Sequence, residues 1–290
     1  MTAKINAAES IRGLACLAVV FSHLAMSFFP FLHHFDPTET TDLNWVYQVH
    51  HLPLGFLYSG DAAVFVFFVL SGYVLSYAIL KKPEQFQSRL KSMMVKRYPR
   101  LMIPALTSCL IIWATLSIID IDSRHVGLWL QAFAQQDFSF NTALYVGTIG
   151  AFLFSDSNIN WVLWTMTIEL MGSFVLFFLL VLYQWKHGVF WLGSVLVLVL
   201  AYMWRGQGFC MGIASFVIGI YIYLYAKQLS ACFAVLLLIL GLYLAGAHNT
   251  SQTYSWLYAL WGEHTYDFSN FLAGPIIVYS VLMSPLLSKG

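Results

Sequence analysis

Ala63-Val64-Phe65-Val66-Phe67-Phe68-Val69-Leu70-Ser71-Gly72-Tyr73-Val74-Leu75-Ser76-Tyr77-Ala78-Ile79-Leu80 runs for eighteen residues without a charged side chain. As a helix it rises about 27 Å, close to the roughly 30 Å of a bilayer's hydrocarbon core. Trp191 to Trp204 repeats the signal. A membrane β-barrel needs alternating polar and apolar positions, which unbroken runs of this kind do not supply. The rest of the chain agrees. Its 290 residues are 60% hydrophobic, 17% aromatic and 9% charged, with mean hydropathy +0.74. Soluble domains carry about 25% charged residues. The sequence therefore predicts an all-α, polytopic transmembrane helical bundle.

Apolar stretches of about 20 residues place eight spans near 10–30, 55–80, 101–119, 161–185, 189–204, 207–226, 230–247 and 269–287. The segment 143–154 is too short for a secure span and reads as interfacial or re-entrant. Cytoplasmic loops accumulate Lys and Arg. With the N-terminus inside, every basic residue except Arg124 and Arg205 falls on the cytoplasmic side. Letting 143–154 cross would instead leave Arg124, Lys186, Lys227 and Lys289 outside, so the eight-span arrangement is preferred. It makes 81–100 an internal loop with seven basic residues. The external stretches are 31–54, 120–160 and 248–268.

A net charge of +1 lacks the basic footprint of a nucleic-acid binder, so no nucleic-acid partner is expected. Cys16, Cys109, Cys210 and Cys232 lie far apart and read as small packing residues. The first apolar run is long and interrupted by Arg12, unlike a cleavable signal peptide. His33, His34, His50 and His51 invite a metal reading. Neighbours in sequence point apart on a helix or strand, however, and no Cys or acidic partner sits at a ligand spacing. No metal is expected. A wet loop or a substrate-facing rim explains them better.

Arg12 and His23 are different. Eleven residues turn a helix through about three full turns and roughly 16 Å. The two side chains thus share one face, Arg12 near a membrane surface and His23 near mid-depth. Ionisable groups inside a membrane are costly and mark functional sites by default. The competing reading is an interfacial anchor and a core histidine satisfied by a neighbour. Glu9 lies three residues before Arg12, a spacing that pairs the two on one helical face.

Several motifs then fall into a known order. Ile11-Arg12-Gly13-Leu14-Ala15 followed by His23 resembles the opening motif of the integral-membrane acyltransferase family 3. Gly60-Asp61 leading to Phe67-Phe68-Val69-Leu70-Ser71-Gly72-Tyr73 is similar to its second motif. Lys96-Arg97-Tyr98-Pro99-Arg100-Leu101-Met102-Ile103-Pro104 resembles its basic loop, and Trp161-Val162-Leu163-Trp164-Thr165-Met166-Thr167-Ile168-Glu169 its tryptophan-to-glutamate motif. Phe209-Cys210-Met211-Gly212 is similar to a later helix. Thr165 stands where the family usually has serine, keeping a hydroxyl. The family usually has ten spans. Nothing after Asn270 matches its last motif, so one domain over 1–290 lacking the last two helices is expected.

The resemblance implies an O-acyltransferase that moves an acyl group, commonly acetyl, from cytoplasmic acyl-CoA to a hydroxyl of a cell-envelope or exported sugar, in a bacterial inner membrane. Acyl-CoA enters as donor substrate, and no permanently bound cofactor is expected. Membrane lipid surrounds the chain; its oligomeric state has no sequence signature. Arg12, Arg97 and Arg100 would meet the donor's phosphates. His23 would be the general base, with Arg12 and Glu169 beside it in the catalytic group. Glu169 either orients a site partner or neutralises an arginine. Asp61 either meets the acceptor or caps its helix. Ser71 and Tyr73 belong to site walls or helix packing, and Trp161 and Trp164 to site lining or interface anchors. The rival readings are a transporter or channel, which lacks support from internal repeats, and a non-catalytic relative.

Overall fold

The computed structural model describes residues 2–119 and 121–287; Lys289, used above for orientation, lies outside them. The elements are helical: α1 (Thr2–Phe28), α2 (Asn44–His51), α3 (Gly60–Leu80), α4 (Phe86–Ile118), α5 (Leu128–Ala134) and α6 (Phe140–Tyr145) come first. A π-helical segment (Val146–Phe154) and a 3-10 turn (Trp161–Thr165) follow. Then come α7 (Met166–Trp185), α8 (His187–Tyr225), α9 (Ala231–Ala245), α10 (Ser255–Trp261) and α11 (Thr265–Leu282). Among the described residues, five stretches are long and apolar enough to cross a membrane: Asn6–Phe28, Gly60–Leu80, Pro83–Ile118, Trp161–Trp185 and His187–Tyr225. The molecule is an all-α membrane helical bundle.

Two expectations change in detail. The basic stretch 81–100 is a loop only as far as Gln85; from Phe86 onward it is helix. Lys, Arg, Gln and Met are good helix formers, and hydropathy had marked only the apolar part of α4. The other change is in α8. It is 39 residues long but carries Gly206 at φ 78, ψ −164, a conformation essentially confined to glycine. That break divides α8 where the two spans 189–204 and 207–226 were expected to meet.

The chain forms two compact units, one from Met1–Val74 with Val217–Gly290, the other from Leu75–Phe216. In the first, α1 buries Ala8, Ile11, Ala15, Ser22 and Ala25, a stripe of mostly small residues at helical spacing that lets backbones approach. Its opposite side exposes Leu14, Leu17, Phe21 and Leu24, as a lipid-facing surface does. Ala63, Val66 and Leu70 of α3 join Ile222, Val278 and Leu282 in the same core. A Cβ on Gly219 would collide with the Val69 carbonyl, Gly72 Cα and Tyr73 N, so only glycine permits that approach.

In the second unit, Ala105 and Cys109 of α4 pack with Ala143, Val146, Ala151, Phe152 and Leu170. The π-helical segment therefore lies against α4. Tyr98 donates a 2.7 Å hydrogen bond to the Thr148 carbonyl, and a Cβ on Gly147 would strike Leu106. The segment 143–154 is thus a packed helical piece belonging to an apolar helix (Phe140–Phe154) shorter than the five candidate spans.

Candidate active site

His23 sits in the last turns of α1. Its Nδ1 lies 2.8 Å from the Val19 carbonyl oxygen. A carbonyl only accepts, so Nδ1 carries the proton, and in the neutral ring Nε2 keeps its lone pair. One turn on, the Ser27 hydroxyl donates to the His23 carbonyl at 2.7 Å. The candidate span is Asn6–Phe28. His23 is therefore about 7.5 Å from the span's far end along the helix axis. Arg12 lies near the other end, where its Nη1 pairs with Glu9 Oε1 at 2.7 Å, as the spacing predicted.

The carboxylate interacting with His23 within its own unit is Asp61. A Cβ on Gly60 would stand 2.8 Å from Ser22 Oγ, so the start of α3 is pressed against α1 one residue before His23. Asp61 lies within electrostatic reach of His23, Tyr266 and Asp267. It is not the helix cap. That role falls to buried Ser59, whose Oγ lies 3.4 Å from the Ala62 amide and donates to Asn270 Oδ1 at 2.8 Å. Asn270 in turn donates to the Tyr266 carbonyl, so α11 holds Tyr266 and Asp267 toward the start of α3.

The external histidines are not a wet loop. His33, His50 and the distant His248 are each at most 2% exposed. His33 Nε2 lies 3.3 Å from Ser22 Oγ, and its Nδ1 lies 3.3 Å from His248 Nε2. His248 Nδ1 meets the Gly246 carbonyl at 3.0 Å. His33 Nε2 also lies 3.3 Å from the Ser22 carbonyl oxygen, so an Nδ1–H on His33 donates to His248 and leaves Nε2 to accept from the Ser22 hydroxyl, whereas an Nε2–H donates to that carbonyl. His50 Nδ1 donates to the Leu32 carbonyl at 2.9 Å, and its Nε2 is 3.1 Å from Thr250 Oγ1. Burial holds all three imidazoles neutral. It pushes His33 down to about 4 against the opposing hydrogen bond to the Ser22 carbonyl, lowers His50, and takes His248 well below the usual histidine range.

The expectation that sequence neighbours point apart fails at His50–His51, whose ring centroids lie 4.9 Å apart. His34 has φ 47, a left-handed backbone that is neither helix nor strand. Its ring lies 4.5 Å from Phe31 and 5.7 Å from His50. His248 was not singled out from sequence. A buried, apolar-flanked position in the 248–268 stretch was its only signal. Among the described residues, no group of three or more His, Cys, Asp or Glu side chains has a metal-holding arrangement.

The other nominated residues divide between packing and surface. Glu169 pairs with an arginine. Its Oε2 is 2.6 Å from Arg97 Nη2, while Arg97 Nε donates to Ser173 Oγ at 2.6 Å. Arg100 is exposed. Trp161 packs on the rings of Trp129 and Phe133, and Trp164 is 39% exposed. Tyr73 is core, edge-on to Tyr223 at 5.7 Å, and half-buried Ser71 precedes the Gly72 contact with Gly219. Both take part in helix packing.

A family model described as an acyltransferase domain, acyltransferase family 3, matches residues 5–290. No curated protein and no solved structure matches the chain.

Proposed function

Since the chain belongs to acyltransferase family 3 and is a membrane acyltransferase, we propose that it transfers an acyl group from acyl-CoA to a sugar hydroxyl with His23 as general base. The observation carrying this reading is the 2.8 Å contact of His23 Nδ1 with the Val19 carbonyl, which leaves Nε2 as the basic atom. In the reaction, Nε2 removes the acceptor's hydroxyl proton as its oxygen attacks the thioester carbonyl. The C–S bond breaks, and the departing CoA thiolate takes that proton, leaving an ester and free CoA. Asp61 stabilises the imidazolium that forms between the two proton transfers. An opposite charge stabilises an imidazolium formed during the reaction.

Arg12 is the donor-phosphate contact at the opposite end of the same helix. It is 35% exposed while pairing with Glu9, which leaves a guanidinium edge for phosphate. The eleven residues to His23 span roughly 16 Å, a length for the pantetheine arm to follow. Arg97 is held by Glu169 and Ser173, whereas exposed Arg100 carries the same phosphate chemistry in its own unit. The reading includes a bacterial inner membrane, a cytoplasmic N-terminus and an acetyl donor.

The test is transfer from radiolabelled acetyl-CoA to glycan in membranes carrying the parent chain or His23→Ala. Loss of general-base help lowers turnover about 10²–10⁴-fold. Transfer at the parent rate by well-folded His23→Ala would overturn the assignment.

A further inference from the structure

In the Leu75–Phe216 unit, a cavity of about 280 Å³ opens between the end of α3 and the first two turns of α4. Ala78, Lys81, Gln85, Ser88, Arg89, Ser92 and Met93 line it. We propose that this cavity binds a phosphate ester.

The local sequence builds the site directly. On α4, Phe86 and Leu90 are buried. The adjoining face carries Gln85, Ser88, Arg89 and Ser92, the i, i+3, i+4, i+7 spacing of one helical stripe. That stripe meets the last turn of α3 through Arg89, whose Nη1 donates to the Ala78 carbonyl at 2.7 Å and whose Nε donates to Gln85 Oε1 at 3.2 Å. Those two contacts fix the guanidinium plane and leave Nη2 without a hydrogen-bond partner among the described residues. Lys81 supplies the second cation. Its ammonium lies 5.3 Å from the Tyr77 ring centroid, which anchors the stem and leaves three N–H donors.

Charge and size select the ligand. Ion pairs among the described residues join Arg12 to Glu9, Arg97 to Glu169 and Arg124 to Asp122. Neither cavity cation is neutralised by such a pair. The acidic side chain nearest in sequence, Glu84, is exposed on the connecting turn beside basic Lys82. A guanidinium, an ammonium and two hydroxyls supply two cations and several donors suited to phosphate oxygens. The volume lies at the low end for ligand sites. It admits a phosphate group with part of its ester. Lys81 also follows directly on the candidate span Gly60–Leu80, which places the cavity at the level of lipid headgroups. Two sources offer this chemistry there, the 3′-phosphate of CoA and the headgroup of an anionic phospholipid.

The experiment measures binding and not turnover, so it fails or succeeds independently of His23. The full chain, as parent and as Lys81→Gln, is placed in nanodiscs of phosphatidylcholine. Affinities for CoA and dephospho-CoA are then measured by calorimetry. In parallel, retention of phosphatidylglycerol against phosphatidylcholine is read by native mass spectrometry. Lys81 is exposed, so the substitution spares the fold. Arg89→Gln serves as a second variant, checked by thermal melting because Arg89 also ties α3 to α4. If CoA is the source, Lys81→Gln weakens CoA about tenfold and leaves dephospho-CoA unchanged. If lipid is the source, phosphatidylglycerol retention falls by a similar factor and CoA affinity is unchanged. Unaltered CoA affinity together with unaltered lipid retention in Lys81→Gln would overturn the proposal.

Discussion

Arg97 Nη2 and Glu169 Oε2 lie 2.6 Å apart, and the two side chains are only 12% and 14% exposed. Ser173 binds both ends of the arrangement, accepting from Arg97 Nε and donating to the Glu169 carbonyl, each at 2.6 Å. Removing one member of a withdrawn ion pair typically costs about 3–5 kcal/mol. Glu169→Ala is therefore expected to destabilise the protein by about that much. Replacing both partners with apolar residues of similar volume should recover most of the loss. Thermal unfolding of the purified single and double variants reads the difference. Equal destabilisation by both would show that the pair is not what holds α4 to α7.

The chemistry of His23 gives a narrower expectation. If the Val19 carbonyl sets the tautomer, His23→Gln retains the size and a donor but not the base. Its kcat should fall about 10²–10⁴-fold while KM for acetyl-CoA stays near the parent value, because Arg12 is untouched. A large rise in KM with unchanged kcat would place His23 in donor binding instead.

The buried imidazoles make stability depend on acidity. His33 has its protonation pushed down to about 4 from 6.5 by burial. At neutral pH neither folded nor unfolded chain is protonated there, and the contribution is fully present. As pH falls through 6.5 the unfolded state takes up a proton that the folded state refuses, so stability drops until about pH 4. A shift of that size corresponds to about 3 kcal/mol. His50 and His248 act in the same direction. Melting temperatures between pH 7.5 and 4.5 should fall, and His33→Asn should flatten the decline. An identical decline in His33→Asn would remove His33 as its cause.

Two glycines should fail for different reasons. At Gly206 an added Cβ meets nothing within 4 Å, yet φ is 78. Gly206→Ala should cost about 1–3 kcal/mol through backbone strain alone. At Gly219 the backbone is ordinary, but the Cβ would strike main-chain atoms of α3, which cannot rotate away. Gly219→Ala should cost about 1–3 kcal/mol as overpacking, and a larger residue more. Thermal melts of the two variants compare these costs, and an unchanged Gly219→Ala melt would contradict the tight α3–α8 approach.

The sequence by itself determined the class of fold. Unbroken apolar runs force backbone hydrogen bonds to close within each segment, so Ala63–Leu80 reads as a membrane helix wherever it packs. Spacing on one helix was equally legible, and the Glu9–Arg12 pair followed from it. Helical geometry is local. What lay beyond it needed tertiary structure. Only packing decided that Glu169 serves Arg97, that Ser59 and not Asp61 caps α3, and that Asp61 interacts with His23. Only packing brought His248, 215 residues from His33, into one hydrogen-bonded chain with it and Ser22. A run of histidines in a polar stretch looks solvated in one dimension. It becomes a buried, neutral network once distant loops close over it, because burial and hydrogen-bond partners are properties of the assembled fold.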